Sequence, residues 1–238
     1  MSFTRRHFLQ SLGAGAVLLA TGFPGLGRAA GRKIVILGAG FGGSTAAKYL
    51  KMLDPSLQVT LVDRAAAHVS CVMSNEVIVG MRDISSITLP HKTVADKYGV
   101  TFVQAEIQGL DATRKTVRTS AGDLAYDKLI VSPGIAMDYD EKQGFDAEMR
   151  QSVPHAWIGG PQTLQLRDML ANAKKGDTLL IRTPKVIYRC PPGPYERICL
   201  ISDFARQRGC SVVALDPNPG IASKAPLFRA ALEFRESV

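Results

Sequence analysis

The chain has 238 residues, of which 46% are hydrophobic and 21% charged, and this balance excludes wholesale disorder, collagen-like repeats and coiled-coil arrays. Its formal net charge is +8, yet no basic run is longer than two residues, whereas nucleic-acid binding needs a concentrated basic face. We therefore expect no nucleic-acid partner, and a mildly basic protein that meets an acidic partner is the better interpretation.

The first 29 residues predict an export signal. Arg5 and Arg6 precede an apolar, glycine- and alanine-rich stretch over residues 11–26, and small residues follow as far as Ala30. The paired arginines favour the twin-arginine route and therefore a periplasmic location. A membrane anchor is the alternative, but the apolar stretch is shorter than the ~20 residues of a spanning helix. We expect cleavage after Ala29 and no stable membrane span afterwards.

A strand–turn–helix–strand unit follows the signal. Residues 33–37 are a largely β-branched apolar run, as expected of a parallel strand buried on both faces. Residues 44–53 predict a helix and residues 57–62 a second strand, which ends in Asp63. The turn between the first strand and the helix carries the G-x-G-x-x-G pattern and contains Gly38, Gly40, Gly42 and Gly43. This complete context indicates a dinucleotide site, the alternative being a glycine-rich turn without a ligand.

Each residue of this unit has a predicted role. Gly38 permits the tight turn, Gly40 lets the backbone approach a pyrophosphate, and Gly43 lets the helix pack closely on the strand. The unpaired N–H groups and partial positive charge at the helix N-terminus then favour phosphate. Asp63 is predicted to accept hydrogen bonds from the adenosine ribose hydroxyls. The unit by itself does not separate NAD from FAD.

The segment up to Gly134 extends this unit toward an FAD-binding domain. The predicted elements are a helix over 93–98, a strand over 100–103, an antiparallel meander over 105–125 and a buried strand over 128–131. Ser132-Pro133-Gly134 closes the last strand, and Gly134 is a predicted cofactor-binding residue. A meander inserted before such a strand is typical of disulfide-reductase-like FAD-binding domains.

A second, similar α/β unit is predicted from residue 159 onward. It contains a helix over 161–173, a strand over 178–182, a helix over 195–207 and a strand over 211–215. Its strand-to-helix turn holds Pro191, Pro192 and Pro194, which offer no N–H groups to a phosphate, so we expect no NAD binding there. The predicted organisation is a signal over 1–29, a Rossmann-like FAD-binding domain over 30–158 and a partial second Rossmann-like domain over 159–238.

The four cysteines show no metal-binding spacing. No C-x-x-C occurs, so we predict no zinc site, no thioredoxin-like motif and no covalently bound c-type haem. Cys199 and Cys210 fall in a predicted helix and at the start of a predicted strand, where buried core cysteines are expected. Cys71 and Cys190 lie in irregular segments near strand ends, where ligands gather in open α/β sheets.

These segments resemble the flavoprotein subunit of flavocytochrome c sulfide dehydrogenase, and the resemblance runs from about Ala30 to about Leu232. It is carried by four stretches, namely Gly38-Ala39-Gly40-Phe41-Gly42-Gly43, Cys71 with Ser74-Asn75-Glu76-Val77-Ile78, Pro154-His155-Ala156-Trp157, and Arg189-Cys190-Pro191-Pro192-Gly193-Pro194-Tyr195-Glu196-Arg197. The resemblance implies a periplasmic FAD enzyme that oxidises sulfide and passes electrons to a c-type cytochrome subunit. It also implies that Cys71 holds FAD through an 8α thioether and that Cys190 is the catalytic cysteine, in a disulfide over the flavin ring.

The local sequence around Cys71 agrees with attachment of the flavin. Ser74 and Asn75 predict a helix N-cap, and a cysteine just ahead of a helix N-terminus gains from its partial positive charge, which stabilises the thiolate. On position alone a buried, inert cysteine is the alternative, and the resemblance favours attachment.

The chain departs from that family at its C-terminal end. Family members are far longer, and the cysteine that would pair with Cys190 lies in a portion that this sequence lacks. We therefore expect a truncated chain in which Cys190 is a free thiol and sulfide oxidation is weak or absent. Two further hypotheses stay open, a sulfide:quinone or NADH:quinone reductase of the same fold and a non-catalytic flavin-binding remnant.

Overall fold

The computed structural model describes residues 31–137, 139 and 146–236, so the predicted export signal and its cleavage site lie outside the described residues. Strands and helices alternate along most of the described chain, as in an α/β protein. The strands are β1 (Lys33–Leu37), β2 (Gln58–Asp63), β3 (Ala67–Val69), β4 (Thr88–Pro90), β5 (Thr101–Gln104), β6 (Ile107–Asp111), β7 (Thr116–Thr119), β8 (Gly122–Ala125), β9 (Lys128–Val131), β10 (Thr178–Arg182) and β11 (Ser211–Leu215). The helices are α1 (Phe41–Leu53), α2 (Ser74–Ile78), α3 (His91–Tyr98), α4 (Ala147–Ser152), α5 (Pro161–Ala171), α6 (Gly193–Arg208) and α7 (Ala225–Glu236), and a 3-10 turn covers Ile84–Ile87.

The first compact unit contains residues 31–66 and 91–134 and is built on a parallel sheet of strand order β5-β2-β1-β9. Successive residues of β1 enter two different cores. Ile34 and Ile36 pack with Ala47 of α1, whereas Val35 packs with Val117 of β7. Because side chains alternate across a strand, β1 is buried on both faces, as its apolar run predicts.

The predicted meander is confirmed as an antiparallel sheet of order β6-β7-β8 in the same unit. Val117 of β7 lies opposite Leu124 of β8, and both side chains pack under the parallel sheet. The meander therefore covers the face of that sheet that α1 leaves open.

The second compact unit contains residues 67–90 together with the described residues from 135 onward. It holds a parallel pair, β10 and β11, and an antiparallel pair, β3 and β4. Its core joins Ile78 of α2, Leu170 of α5 and Ile201 of α6. The prediction of an α/β fold with two Rossmann-like parts agrees with this architecture.

The two units divide the chain differently from the predicted boundary between residues 158 and 159. Residues 67–90 belong with the second unit, although they precede β9 in the chain. Gly159 shows how the two stretches come together, because a Cβ atom there would lie 2.5 Å from the Val69 carbonyl oxygen and 2.8 Å from that of Ser70. Within the described ranges, no helix is long and apolar enough to cross a membrane.

Candidate functional site

The glycine turn joins β1 to α1 at the carboxyl edge of the parallel sheet. Gly38 has a φ of +92°, and its N–H donates to the Val62 carbonyl oxygen of β2 over 2.8 Å. A Cβ atom on Gly38 would overlap the carbonyl oxygen of Ser132, which follows β9. Only glycine therefore fits both the backbone conformation and the space at this position.

The first turn of α1 lies directly on this loop. A Cβ atom on Gly43 would overlap the Gly38 carbonyl oxygen, which is the close helix–strand packing predicted for that glycine. One on Gly42 would lie 2.5 Å from Ser132 Oγ. Gly40 is the N-cap residue, no side chain caps the helix, and its first turn has no acidic residue. The first turn of α1 therefore carries no carboxylate of its own that would compete with a phosphate.

Asp63 is tied to the turn by its own carboxylate. Its Oδ2 accepts from the Ala39 N–H at 2.8 Å and its Oδ1 from the Ala65 N–H at 2.9 Å. Each carboxylate oxygen has a second lone pair, so both can still accept from a hydroxyl group. The carboxylate is thus oriented beside the glycine turn, where the sequence predicts contact with a ribose.

The segment after β9 completes this arrangement, which is termed the glycine cradle (residues 38–43, Asp63 and residues 132–134). The Ser132 N–H donates to the Leu37 carbonyl oxygen over 2.7 Å and continues the sheet beyond β9. Gly134 has a φ of +78° and is exposed. The cradle has close backbone, helix N–H groups and an oriented carboxylate, which is the donor and acceptor set that the pyrophosphate and ribose of a dinucleotide require.

Cys71 is exposed and lies in the second unit, in a turn that leads into α2. The predicted N-cap at Ser74 and Asn75 is wrong, since the N-cap residue is Met73, in the left-handed region with a φ of 69°. Ser74 Oγ donates to the Cys71 carbonyl oxygen over 2.7 Å instead, which tightens the turn behind the cysteine. The physical reason is that both polar side chains have partners other than the helix N–H groups.

Asn75 connects α2 to α6. Its Nδ2 donates to Glu196 Oε2 over 2.6 Å and to the Gly193 carbonyl oxygen over 3.4 Å. Its Oδ1 accepts from Arg197 Nε at 2.8 Å. The side chain that follows Cys71 by four positions thus contacts the helix that follows Cys190.

Arg197 is only 5% exposed and holds a third segment in place. Its guanidinium donates to the carbonyl oxygens of His155 and Ala156, and it lies 3.5 Å from the centroid of the Trp157 ring. Burial lowers the pKa of Arg197 to about 9, although the Glu196 carboxylate acts in the opposite direction. The group is therefore still a cation at neutral pH.

His155 has partners on both ring nitrogens. Nδ1 accepts the Trp157 N–H at 3.0 Å, so the neutral ring carries its proton on Nε2, which lies 2.6 Å from the Tyr139 hydroxyl oxygen. Burial, and then the Arg197 charge, lower the pKa of His155. A neutral, hydrogen-bonded histidine that shapes the turn explains these contacts.

Cys190 is exposed, and its φ of 59° places it in the left-handed region. Its carbonyl oxygen accepts the Gly193 N–H at 2.9 Å. A Cβ atom on Gly193 would lie 3.3 Å from Cys190 Sγ and 3.6 Å from the Trp157 ring. The sulfur and the ring therefore both border Gly193. All four cysteines lie in the described part of the chain, and no disulfide joins them.

The second strand-to-helix turn differs from the first in its chemistry. Pro192 is the N-cap of α6 and Pro194 occupies its first turn, so this end presents fewer N–H groups than α1 does. Asp216 directly follows β11, at the same end of its strand as Asp63, which is the last residue of β2. It accepts from the Tyr195 hydroxyl at 2.7 Å and from Thr183 Oγ1 at 2.9 Å. Asn218 donates to it as well, through Nδ2 over 2.6 Å. The carboxylate is therefore engaged within the protein.

The roles of Asn75, Trp157, Arg197 and Asp216 were not predicted from the sequence. An arginine in the first turns of a helix opposes the helix dipole, which is a signal that its charge serves another contact. Asp216 lies at the carboxyl end of its strand, as Asp63 does, and that parallel was available from the strand pattern. Among the described residues, no group of three His, Cys, Asp or Glu side chains is placed to hold a metal ion.

Comparison with known proteins gives two matches that follow one another along the chain. Residues 32–160 match a family model for pyridine nucleotide-disulphide oxidoreductases. Residues 163–236 match a model for the central part of the sulfide dehydrogenase (flavocytochrome c) flavoprotein chain. The cradle lies within the first match, and Cys190 and Arg197 lie within the second.

Individual relatives cover shorter stretches. The sulfide dehydrogenase (flavocytochrome c) flavoprotein chain of Chlorobaculum thiosulfatiphilum is 52% identical over 46 residues, which are 19% of this chain and 96% of that sequence. A type II NADH:quinone oxidoreductase of Staphylococcus saprophyticus is 32% identical over 105 residues, which are 43% of this chain and 26% of that protein.

Solved structures share the fold at low sequence identity. The sulfide:quinone oxidoreductase of Aquifex aeolicus has a TM-score of 0.65 and 20% identity, over 86% of this chain and 49% of that one. The NDH2 of Plasmodium falciparum has a TM-score of 0.65 and 15% identity, over 86% of this chain and 46% of that one. The chain therefore spans about half the length of these structures.

Proposed function

The chain belongs to the pyridine nucleotide-disulphide oxidoreductase family, and we propose that it is the flavoprotein part of a periplasmic, FAD-dependent enzyme that oxidises sulfide and passes the electrons to a c-type cytochrome subunit. The observation that carries this proposal is the match of residues 163–236, which contain Cys190, to the sulfide dehydrogenase flavoprotein chain. The match to the chain from Chlorobaculum thiosulfatiphilum supports the same substrate.

The glycine cradle fits FAD. Only glycine fits at Gly38 and Gly43, because a Cβ atom at either position would overlap a carbonyl oxygen. The N-terminus of α1, which no side chain caps, is suited to a pyrophosphate. Asp63 would accept the ribose hydroxyls, and Gly134 would border the cofactor. When bound, FAD supplies the capacity to accept two electrons together and to release them singly. The chain's own contribution is to hold the phosphates and to present Cys190, an exposed thiol, as the catalytic sulfur.

We propose Cys71 as the point of covalent attachment through the flavin 8α position. Its sulfur is exposed, and the turn that carries it is held by the Ser74 hydroxyl. Acid precipitation of the wild-type chain should leave yellow colour in the pellet, and Cys71→Ser should release it to the supernatant. Cys210→Ser is the control and should behave like the wild type. A colourless wild-type pellet, from protein that held flavin beforehand, would refute the covalent link.

The reaction itself is tested with the purified chain under anaerobic conditions. Because Cys190 is a free thiol, sulfide should bleach the visible flavin spectrum only slowly, and oxidised cytochrome c, but not a soluble quinone, should restore it. Cys190→Ser should keep the spectrum and slow the bleaching by sulfide further. A flavin-loaded chain whose spectrum sulfide leaves unchanged even on prolonged incubation would contradict the proposed substrate.

A quinone reductase is the second candidate, favoured by the 32% identity to a type II NADH:quinone oxidoreductase over 105 residues. The proline-rich turn before α6 and the engaged Asp216 speak against NADH as its electron donor. The same anaerobic experiment separates the candidates, since restoration of the spectrum by quinone would favour this one. A chain that is colourless after purification with FAD would indicate a remnant without redox function.

A further inference from the structure

Arg197 joins three segments that are far apart in the sequence. It contacts α2 through Asn75, and the carbonyl oxygens of His155 and Ala156 accept from its guanidinium group. These three acceptors are neutral oxygens. Burial removes the guanidinium from water, the neighbouring Glu196 carboxylate offsets only part of that solvation cost, and an apolar side chain of similar size avoids it. The position therefore requires an explanation other than stability.

The first consequence of the Arg197 contacts is the orientation of the Asn75 amide. Because Arg197 Nε donates to Asn75 Oδ1, the NH₂ group points the other way, toward Glu196 and the Gly193 carbonyl oxygen. A flipped amide would set N–H against N–H and oxygen against carboxylate. The guanidinium thus fixes the Asn75 amide so that its NH₂ group donates to the carboxylate of Glu196, the residue before Arg197 in α6.

The second consequence is the position of the Trp157 ring. The guanidinium carbon lies 3.5 Å from the ring centroid, within the range of a cation–π contact. The same ring borders Gly193, beside the Cys190 sulfur. Gly193 leaves room for both, because any larger residue would press on the sulfur. The arginine therefore holds an aromatic wall next to the thiol.

We propose that Arg197 is the positioning residue of the Cys190 site, which seats the Trp157 ring beside the sulfur and orients the Asn75 amide toward Glu196. The proposal deepens the proposed function in so far as Cys190 is the reacting sulfur. The positioning itself is a property of the second unit and is measurable without flavin or sulfide, so the two can fail separately.

The test uses the full chain and Trp157, which is the only tryptophan of the sequence. Arg197→Lys and Arg197→Met should shift its emission to longer wavelength and increase quenching by acrylamide. Cys190 is exposed, so iodoacetamide should label it about fivefold faster once the ring no longer shields one side of the sulfur, the factor that corresponds to a cation–π contact at a partly exposed site. Arg206→Met is the matched control on the same helix, since the Arg206 side chain is exposed and pairs with the Asp203 carboxylate, 3.4 Å away.

Labelling of the other cysteines separates positioning from general loss of structure. Cys199 is buried, and its protection should persist in the Arg197 variants. If Cys199 becomes labelled in both Arg197 variants, these variants have lost structure and the Trp157→Phe variant is used instead. In Trp157→Phe, Cys190 should be labelled faster while Cys199 stays protected. Folded Arg197 variants with wild-type emission and wild-type labelling of Cys190 would overturn the proposal, as would an unchanged rate in Trp157→Phe. Neither the emission measurement nor the labelling measurement requires the protein to oxidise sulfide.

Discussion

Gly38 and Gly176 share a φ of +92° and differ in their surroundings. A Cβ atom on Gly38 would overlap the Ser132 carbonyl oxygen, whereas one on Gly176 would meet nothing within 4 Å. Gly176→Ala should cost about 1–2 kcal/mol from backbone strain alone. Gly38→Ala adds a steric clash that cannot relax without moving the sheet, so a loss above about 3 kcal/mol is expected.

Urea denaturation of both variants measures these costs as changes in the free energy of unfolding. Gly38→Ala should also lose flavin binding, while Gly176→Ala keeps it. Equal losses of stability in the two variants would show that strain, and not the approach of Ser132, sets the requirement for glycine at Gly38.

Tyr195 makes the stability of the second unit depend on alkaline pH. Burial raises the pKa of Tyr195 to about 12, with the Asp216 carboxylate acting in the same direction and the Ala222 N–H in the opposite one. An unfolded tyrosine ionises near pH 10. The contribution of this group is complete below pH 10 and is lost as the pH rises through 12. Between pH 10 and pH 12 the free energy of unfolding should therefore fall less in Tyr195→Phe than in the wild type.

The comparison of the two unfolding curves isolates Tyr195, because Arg197, whose pKa is lowered by burial to about 9, is present in both proteins. At neutral pH, Tyr195→Phe should cost about 1–2 kcal/mol, since the bonds to Asp216 and Ala222 are gone. Tyr49→Phe, at an exposed position of α1, should follow the wild-type curve. Parallel curves for wild type and Tyr195→Phe above pH 10 would contradict the assignment.

At the scale of elements, the chain contains two strand–turn–helix–strand units with opposite chemistry. The turn before α1 has glycines and an uncapped helix, whereas the turn before α6 has prolines, and its Asp216 is engaged by Tyr195. In the Cys71→Ser variant freed of flavin, FAD at ~100 times its Kd should stabilise the fold by about 2.7 kcal/mol. NAD⁺ at the same concentration should leave the melting temperature unchanged.

Differential scanning calorimetry of that variant measures both effects. Gly38→Ala in the same background should abolish the response to FAD, which ties the stabilisation to the glycine cradle. A rise in melting temperature with NAD⁺ would show that the second turn binds dinucleotide despite its prolines, and it would favour the NADH-dependent alternative.

The sequence predicted elements best where a continuous apolar run marks them. β1, β9, β10 and β11 have the bounds that their apolar runs predict. β1 is buried on both faces, whereas β10 and β11 have exposed residues along their length. α1 begins at Phe41 and not at residue 44, since packing on β1 outweighs the low helix propensity of its glycines. β3 and β4, of three residues each, have no period long enough to be recognised.

The candidate site was predictable only in its local part. The glycine cradle rests on residues within one pattern, apart from the Ser132 segment that pairing of β9 brings beside it. The contact between Asn75 and Arg197 joins residues 122 positions apart and depends on how α2 packs on α6. Hydrophobic periodicity describes which face of an element is buried and does not state its neighbour. Those partners therefore required the folded structure.

At the scale of the whole molecule, the order of segments and the compact units do not coincide. The chain passes between the units near residues 66, 90 and 134, and residues 67–90 fold with the later part of the chain. The short antiparallel pair β3–β4 and helix α2 lie in that inserted stretch, together with Cys71. A boundary drawn along the sequence follows the βαβ repeats, whereas the units follow contacts that the repeats do not encode.

The charge of the whole chain predicts how an electron acceptor approaches. The formal net charge is +8 for the whole sequence and +5 once the predicted export signal with its three arginines is removed. This charge is dispersed, so it acts at long range and not through one basic patch. If a c-type cytochrome is the acceptor, an acidic cytochrome should be reduced about tenfold faster than a basic one at low ionic strength. This preference should fade toward ~0.15 M salt, where the Debye length is about 8 Å.

Stopped-flow reduction of the two cytochromes by the sulfide-reduced chain, over a series of salt concentrations, measures this preference. An uncharged one-electron acceptor is the control, and its rate should not depend on salt, because no long-range attraction acts on it. Equal salt dependence for the acidic cytochrome and the uncharged acceptor would exclude electrostatic steering. A faster reaction with the basic cytochrome would place the docking surface on an acidic part of the molecule, against the sign of its net charge.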